Sequence, residues 1–587
     1  MNVDEALRYL GNFGRYQTLV FIFVSIMGTW FPAWQMMAMV FTTDQPFGYQ
    51  CKSSITPTVG SLLSYTANFS ETGNGNETAV IEECYVDEEM EKNGSLVTNQ
   101  VACTEWTYIM KYGETTAVSD LNLICGKALL PKTAQSIFMA GVLVGSLVAG
   151  TLSDMLGRKT VLTAASLLEG LFGLCLAFTW SYTGFVGIWF FVGMFEQGLN
   201  IIQFVLIIEM FSPEKRTFAG CINGVFWGIG VALLTPIAYF LRNWRHMQIA
   251  ISVPSLVVVP FLWWISFESI RWLVSKGRVE SAEKTLHRIA KLNNLDAPDK
   301  FLTEDDASKP MFALTPQIPS TDDNKNDTSK NGDRNTSDVK IVTGDSPLPP
   351  GRGFRFTDLR KTPLTVRNTF VMLFSWMVSS MVYYGMSLNS SNLAGDKYLN
   401  FFLLGLVEVP GYLVSYFLLE WWGRRPSLSL SHFIAGVSGI LCACIPVTTA
   451  GGVDLSAVTT TFALIGKLGV TMSFCIDFVY GAEIFPTVVR NGAFGFCSFA
   501  ARIGGILAPF VLYLADVSPF IPLNIFGALS IIAAAIVLVL PETHKKALPE
   551  TLTDGEELAR SARPPSCPKC FYFGRRRMSN MGWASSE

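Results

Sequence analysis

Apolar residues in this 587-residue chain gather into long runs, such as "SIFMAGVLVGSLVAG" and "VLTAASLLEGLFGLCLAF", broken by short polar stretches. Many runs reach the roughly 20 residues that a helix needs to cross a bilayer. Twelve spans are predicted, near 17–42, 133–153, 160–180, 184–210, 217–240, 247–267, 368–388, 398–419, 427–447, 455–480, 491–514 and 519–540. The polar stretch "SDMLGRKT" (153–160) separates spans two and three, and "EWWGRRPS" (420–427) separates spans eight and nine. A hinge repeated after the second span of each six predicts a duplicated six-helix unit. The expected fold is an all-α membrane protein, with halves at 1–267 and 367–540, a connecting segment at 268–366 and a tail at 541–587.

Composition agrees: half the residues are hydrophobic, 16% are charged and mean hydropathy is +0.35, where a soluble chain is about a quarter charged. The first run follows Arg8 and Arg15 but is long, aromatic and without a small-residue cleavage site, so it reads as a span. Trp30 and Trp34, near its outer end, read as membrane-interface anchors. Arg158, Lys159, Lys215, Arg216, Arg424, Arg425, Arg490, Lys545 and Lys546 fall on one side with the 268–366 segment. The positive-inside rule makes that side cytoplasmic, with both termini. Arg242 and Arg245 are the exception and are expected to bond locally.

The segment 44–132 then faces outside. It carries the acidic run "EECYVDEEME", sequons at Asn68, Asn76 and Asn93, and the cysteines Cys51, Cys84, Cys103 and Cys125. Sequons and an even set of cysteines both suit the secretory lumen. Two disulfides are expected, in any of three connectivities. Sequons at Asn326 and Asn335 fall on the cytoplasmic side, and Asn389 lies too near the membrane. The polar segment 295–352 should be disordered. The stretch 278–293, with Val279, Ala282, Leu286 and Ile289 at helical spacing, should form a helix against the inner face.

The hinge residues Asp154, Gly157, Arg158 and Lys159, echoed by Glu420, Gly423, Arg424 and Arg425, resemble the major facilitator superfamily. "FESIRWLVSKGRVESAEKTLHRIAKLN" (267–293), "YGAEIFPTVVRNGAFGFCS" (480–498) and "PETHKKALPETLTDGEE" (541–557) resemble solute carrier family 22, the organic cation, anion and carnitine transporters of animals. The resemblance runs from residue 1 to about 557 and includes the cysteine-bearing loop after the first span. It implies a plasma-membrane transporter working by alternating access, and it adds Glu209, Glu268, Arg271, Glu483 and Arg490 to the gating set. A longer middle segment, and four outer cysteines where mammalian members carry six, point to an invertebrate or divergent member. In this reading the basic pair bonds neighbouring helix ends and carboxylates at the inner surface, and those contacts steady one orientation of the two halves.

An ionisable residue at mid-span costs about 2.5–3.5 kcal/mol on insertion scales. Glu408, Lys467, Arg502 and Glu196 sit near span centres, with Glu169 and Asp477 also inside spans. They either bind substrate at the midplane or pair to pin helices. By resemblance, Glu408 matches a shared acidic position, Tyr412 a carnitine-type tyrosine, and Arg502 and Lys467 the carnitine or anion branches. Glu408 opposite Arg502 would suit a zwitterion. Asp477 would favour cations or neutralise Lys467. Tyr383, Tyr384 and Trp376 resemble an aromatic lining for quaternary amines, although such a stripe also serves helix packing. Cys567 and Cys570 form a C-x-x-C without the second pair a zinc site needs, and Ser579 in "RRMS" has a basic phosphorylation context. With no phosphate loop, no Ser/His pairing and four histidines in all, neither an enzyme nor a cofactor is expected, and co-transported Na+ or H+ stays open. The expected partners are a small organic ion and the bilayer, not nucleic acid. Organic cation or zwitterion transport is the reading; organic anion transport, or a transport-inactive surface receptor or scaffold, are the alternatives.

Overall fold

Hydrocarbon offers no hydrogen bonds, so a chain crossing it must satisfy its backbone within helices or a closed barrel. In the computed structural model this chain uses helices. The structure describes residues 3–52 except 12, 84–302 except 93 and 94, 362–446, 448, and 453–561 except 547, 548, 550 and 551. Among these, 12 helices are long and apolar enough to span a membrane. In order they are Arg15–Thr42, Cys125–Leu156, Arg158–Leu176, Tyr182–Met210, Phe218–Phe240, Trp244–Ile265, Pro363–Asn392, Lys397–Trp421, Arg424–Cys444, Ser456–Ile484, Gly492–Asp516 and Phe520–Val537, here spans 1 to 12. Span 2 starts well before the predicted residue 133, because Lys127 and Lys132 interrupt the apolar run without interrupting the helix.

Spans 1–6 pack together, as do spans 7–12, and the halves meet where span 2 lies on span 11 and span 5 on span 8. Gly157 and Gly423 mark one end of the bundle, the hinge end; the segment between spans 1 and 2 marks the other, the loop end. At the loop end a single hydrophobic core crosses both halves, joining Phe138 and Trp189 to Val378, Tyr383 and Phe526. Toward the hinge end each half has its own core, around Phe21, Leu206 and Phe211 in the first and around Trp376, Tyr480 and Phe485 in the second. The halves are therefore sealed together at the loop end and only loosely joined at the hinge end.

The loop departs from the all-α expectation with two antiparallel ribbons, Gly48–Cys51 with Trp106–Ile109 and Tyr85–Lys92 with Ser95–Ala102. Its disulfides join Cys51 to Cys103 and Cys84 to Cys125. Arg245 does bond locally, to Asp120 at 3.2 Å and to the carbonyls of Ala177 and Thr179. Trp30 and Trp34 are not interface anchors. Their indole N–H groups donate to the Phe226 and Gly230 carbonyls at 3.1 and 2.9 Å, bolting span 1 to span 5.

At the hinge end, helix Val279–Leu292 buries Ala282, Leu286 and Ile289 against Ala6 and Leu7 of helix Val3–Tyr9 and Leu10 just past it. Past its end, Asn293 accepts from the Tyr16 N–H at 2.9 Å and donates to Gln17 at 2.7 Å, fixing it to span 1. Helix Leu552–Arg560 sits under span 7, where Glu556 accepts the N–H groups of Leu364 and Thr365 at 3.1 and 3.2 Å. Asn68, Asn76, Asn93, Asn326, Asn335, Cys567, Cys570 and Ser579, with most of 295–352, lie outside the described residues. Asn389 is buried in the short 3-10 turn that ends span 7.

Candidate functional site

The two hinges share one design. Gly157 and Gly423 take φ of 104° and 93°, a region that L side chains avoid. A Cβ on Gly157 would stand 2.4 Å from a Glu268 oxygen, and one on Gly423 2.9 Å from Glu542. Glu268 accepts the N–H groups of Arg158 and Lys159 at 2.7 and 3.1 Å, and Glu542 those of Arg424 and Arg425 at 2.9 and 3.1 Å. These are the first N–H groups of spans 3 and 9, which have no partner within their own helix and carry the positive end of its dipole.

Arg158 pairs with Asp154 at 2.8 Å and Glu209 at 3.2 Å, and Arg424 with Glu483 at 2.7 Å. The echo is imperfect: Glu420 is exposed, and Arg424 turns to the His544 ring at 2.6 Å. Lys159 lies over the Trp263 ring, and Arg425 faces the Leu540 carbonyl. Arg271 bonds Asp4 and the Glu209 carbonyl, and Arg490 donates to the Phe485 carbonyl at 3.1 Å. Every one of these contacts stays inside one half. The basic residues thus bond neighbouring helix ends and carboxylates, as expected, and each hinge braces its own half.

The interior charges form two groups. In the first, Lys467 of span 10 pairs with Glu408 of span 8 at 2.9 Å, both buried. The Tyr383 hydroxyl donates to the two Glu408 oxygens at 2.8 and 2.9 Å, and accepts from the Trp227 indole at 2.8 Å. Lys467 also donates to Ser387 at 2.7 Å and lies 3.3 Å from the centre of the Tyr383 ring. Every charge in this cluster has a partner, which is what burial demands. Trp227 comes from the first half, so the cluster also joins the halves.

The second group is left open. Glu196 of span 4 is fully buried, and neither carboxylate oxygen has a partner among the described residues. The charged groups nearest it in effect are Glu169 of span 3 and, more weakly, Arg502 of span 11 in the other half. Arg502 is itself buried and, among the described residues, donates to the Tyr384 hydroxyl at a long 3.4 Å while its Nε has no partner. Tyr384 meets Tyr383 edge to face at 5.2 Å, so the two groups adjoin. Tyr412, on span 8, packs against Gly224 of span 5, where a side chain would clash.

Three expected members lie elsewhere. Asp477 does not neutralise Lys467; it accepts from Ser375 and Ser379, each at 2.7 Å, with Ser375 also bonded to His432 at 2.9 Å. Trp376 does not line a cage with Tyr384; it is wedged between Phe478 at 4.5 Å and Phe494 at 5.1 Å in the hinge-end core of the second half. Glu169 is held by Ser255 at 3.3 Å, inside the first half.

At the loop end, Lys397 of the second half reaches across to Asp44 at 2.7 Å and Glu114 at 2.6 Å of the first. Tyr398 beside it stacks on Phe41 and meets Tyr112 and Tyr239 edge-on. The space left there is about 10 Å³, room for about one water. Burial raises the Asp44 carboxyl above its usual range even beside Lys397. Burial also works against Glu114, but Lys397 and the Tyr112 N–H outweigh it and hold that carboxyl below its usual range. This clamp was not expected, since Lys397 sits in a short polar connection that looks like any other.

The family model described as Major Facilitator Superfamily matches residues 128–509. An "Organic cation transporter-like protein" of Drosophila melanogaster is 34% identical over 574 residues, covering 96% of this chain and 94% of its own length. "Solute carrier family 22 member 3" of Rattus norvegicus is 30% identical over 579 residues, covering 95% and 96%. "Organic cation/carnitine transporter 2" of Mus musculus is 30% identical over 569 residues, covering 94% and 93%. The chain belongs to solute carrier family 22. This carrier is therefore a multi-pass membrane protein of a transporter family, not an enzyme. Its fold also matches the xylose transporter XylE from E. coli in a partially occluded inward open conformation, with TM-score 0.57 and 14% identity over 91% of the carrier and 100% of XylE.

The carrier's interior also holds buried polar groups that its sequence did not single out. Gln203, seven residues beyond Glu196 on the same helix face, has neither side-chain polar atom engaged, and the Asn223 carbonyl is likewise unpartnered among the described residues. Neutral amides carry no charge to mark them in an apolar run. Only their missing partners do.

Proposed function

We propose that this carrier moves small organic cations and zwitterions of the carnitine kind across the plasma membrane by alternating access between its halves. One observation carries the reading: Glu196 and Arg502, opposite in charge and from opposite halves, are buried with polar atoms that no group among the described residues engages. A zwitterion brings the missing partners, its carboxylate for Arg502 and its ammonium for Glu196, with the Tyr384 ring offering a face to a quaternary nitrogen. A simple cation uses Glu196 alone. The names of the relatives, organic cation and carnitine transporters, point the same way. Glu408 was the acidic partner expected opposite Arg502, but its charge is already matched by Lys467. The same pairing removes one of the two basic residues that favoured organic anions. In this reading the hinge end is cytoplasmic, and the loop faces outside with glycans on Asn68, Asn76 and Asn93.

The test is uptake of labelled carnitine, tetraethylammonium and an aromatic anion by cells expressing the carrier. Saturable uptake of the first two is expected. Uptake of the anion alone would favour the anion reading, and uptake of none would favour a surface receptor or scaffold.

A further inference from the structure

Cys221 and Cys475 bring one thiol from each half to the same point. Cys221 lies on span 5 and Cys475 on span 10, with their sulfurs 3.9 Å apart. Cys221 is buried, while Cys475 keeps partial exposure. At a rise of 1.5 Å per residue, Cys475 lies about 12 Å from Lys467 toward the hinge end, and Cys221 about 9 Å from Trp227 in the same direction. The pair therefore stands between the interior charges and the hinge-end surface. Few other contacts join the halves at this depth: Phe204 faces Phe478 at 6.4 Å, and Phe218 meets Tyr416 at 6.1 Å. Rocking apart at the hinge end requires the two sulfurs to separate.

We propose that Cys221 and Cys475 form a redox lock across the halves, which keeps the hinge-end exit of the central site shut when oxidised. The inference rests on the alternating-access reading above. The oxidant is a peroxide. One cysteine, as its thiolate, attacks the peroxide O–O bond to give a sulfenic acid, the leaving hydroxide taking up the thiol proton as water. The second thiol then displaces hydroxide from the sulfenic sulfur, forming the S–S bond and a second water. Two thiols are oxidised and one peroxide is reduced. Side-chain rotation has to close the sulfurs from 3.9 Å to about 2.05 Å. The two disulfides in the loop involve other cysteines and are unaffected.

The test uses full-length carrier in membranes, treated with hydrogen peroxide and alkylated. Non-reducing peptide mapping should recover Cys221 joined to Cys475. In a Glu196→Cys variant, N-ethylmaleimide applied from the hinge side should label the new thiol about tenfold more slowly after oxidation, with dithiothreitol restoring the rate. Cys221→Ser in the same background should give no linked peptide and no slowing. Recovery of both cysteines individually alkylated after peroxide would overturn the proposal, as would a linked peptide with unchanged labelling. Neither readout uses a transported solute, so failure of carnitine uptake counts against the substrate reading alone.

Discussion

The carrier buries two pairs of opposite charges at similar depth and treats them differently. Glu408 and Lys467 belong to the same half, touch at 2.9 Å and are ringed by Tyr383, Ser387 and, through Tyr383, Trp227. Glu196 and Arg502 belong to different halves, and each leaves polar atoms without a partner among the described residues. In a low-dielectric interior an unmatched charge is destabilising, so a protein keeps one only where something else completes it. In the function proposed above, the matched pair is scaffold and the unmatched pair is the place for a ligand. Sequence position does not separate them, since all four residues sit near the middle of a span.

The strongest test of that contrast is Glu408→Ala, which strands the Lys467 ammonium. It should destabilise the carrier by about 3–5 kcal/mol, read as lost melting temperature in detergent. Replacing both Glu408 and Lys467 by Met should restore most of it. If the double variant is no better than the single, the pair is more than scaffold. Arg502→Asp should leave melting nearly unchanged but lower carnitine uptake by about thirtyfold or more, while some tetraethylammonium uptake survives. Unchanged carnitine uptake would remove Arg502 from the site.

Tyr383→Phe comes next. It takes a donor from Glu408 and an acceptor from Trp227, so a stability loss of about 1–3 kcal/mol is expected. Tyr384→Phe should cost less stability and act instead on the KM for uptake. The reverse ranking would exchange the roles of the two clusters.

The smallest effect concerns a third set of buried charges, the clamp at the loop end. The closed clamp raises the Asp44 carboxyl, so it binds that proton more tightly than an open, hydrated form. Asp44's contribution to closure is thus fully present below its ordinary value and is lost as pH rises through its raised value. Glu114, lowered in the closed clamp, contributes above its ordinary value and fails only as pH falls through its lowered one. Above the range in which Glu114 titrates, acid therefore favours closure through Asp44. Maleimide labelling of a Thr115→Cys variant should slow on mild acidification by less than about tenfold, and adding Asp44→Asn should abolish the slowing.

The fold was readable because a bilayer forces apolar runs into helices, and the repeated Gly-Arg hinge marked the duplication. The start of span 2 was missed because Lys127 and Lys132 lower local hydropathy without breaking a helix. Partners within the site were less readable. A sequence shows that Glu408, Lys467, Asp477 and Arg502 are costly to bury, but which pairs meet depends on helix rotation and on which half each belongs to. So Glu408 found Lys467, Asp477 found two serines on span 7, and Trp376 found three phenylalanines. The family resemblance narrowed the field of residues, yet it could not say which charges were already spoken for.

The carboxylates that clasp the helix starts also set an order of assembly. Glu268 follows span 6 and secures the start of span 3, so the first half can finish its brace before any of the second is synthesised. The second half has no such early finish. Glu542 closes span 9 only after span 12 is made, and Glu556 secures span 7 later still. A chain cut short between them would leave its seventh helix without a cap, so a premature stop in that stretch would strike the half whose making had already come last.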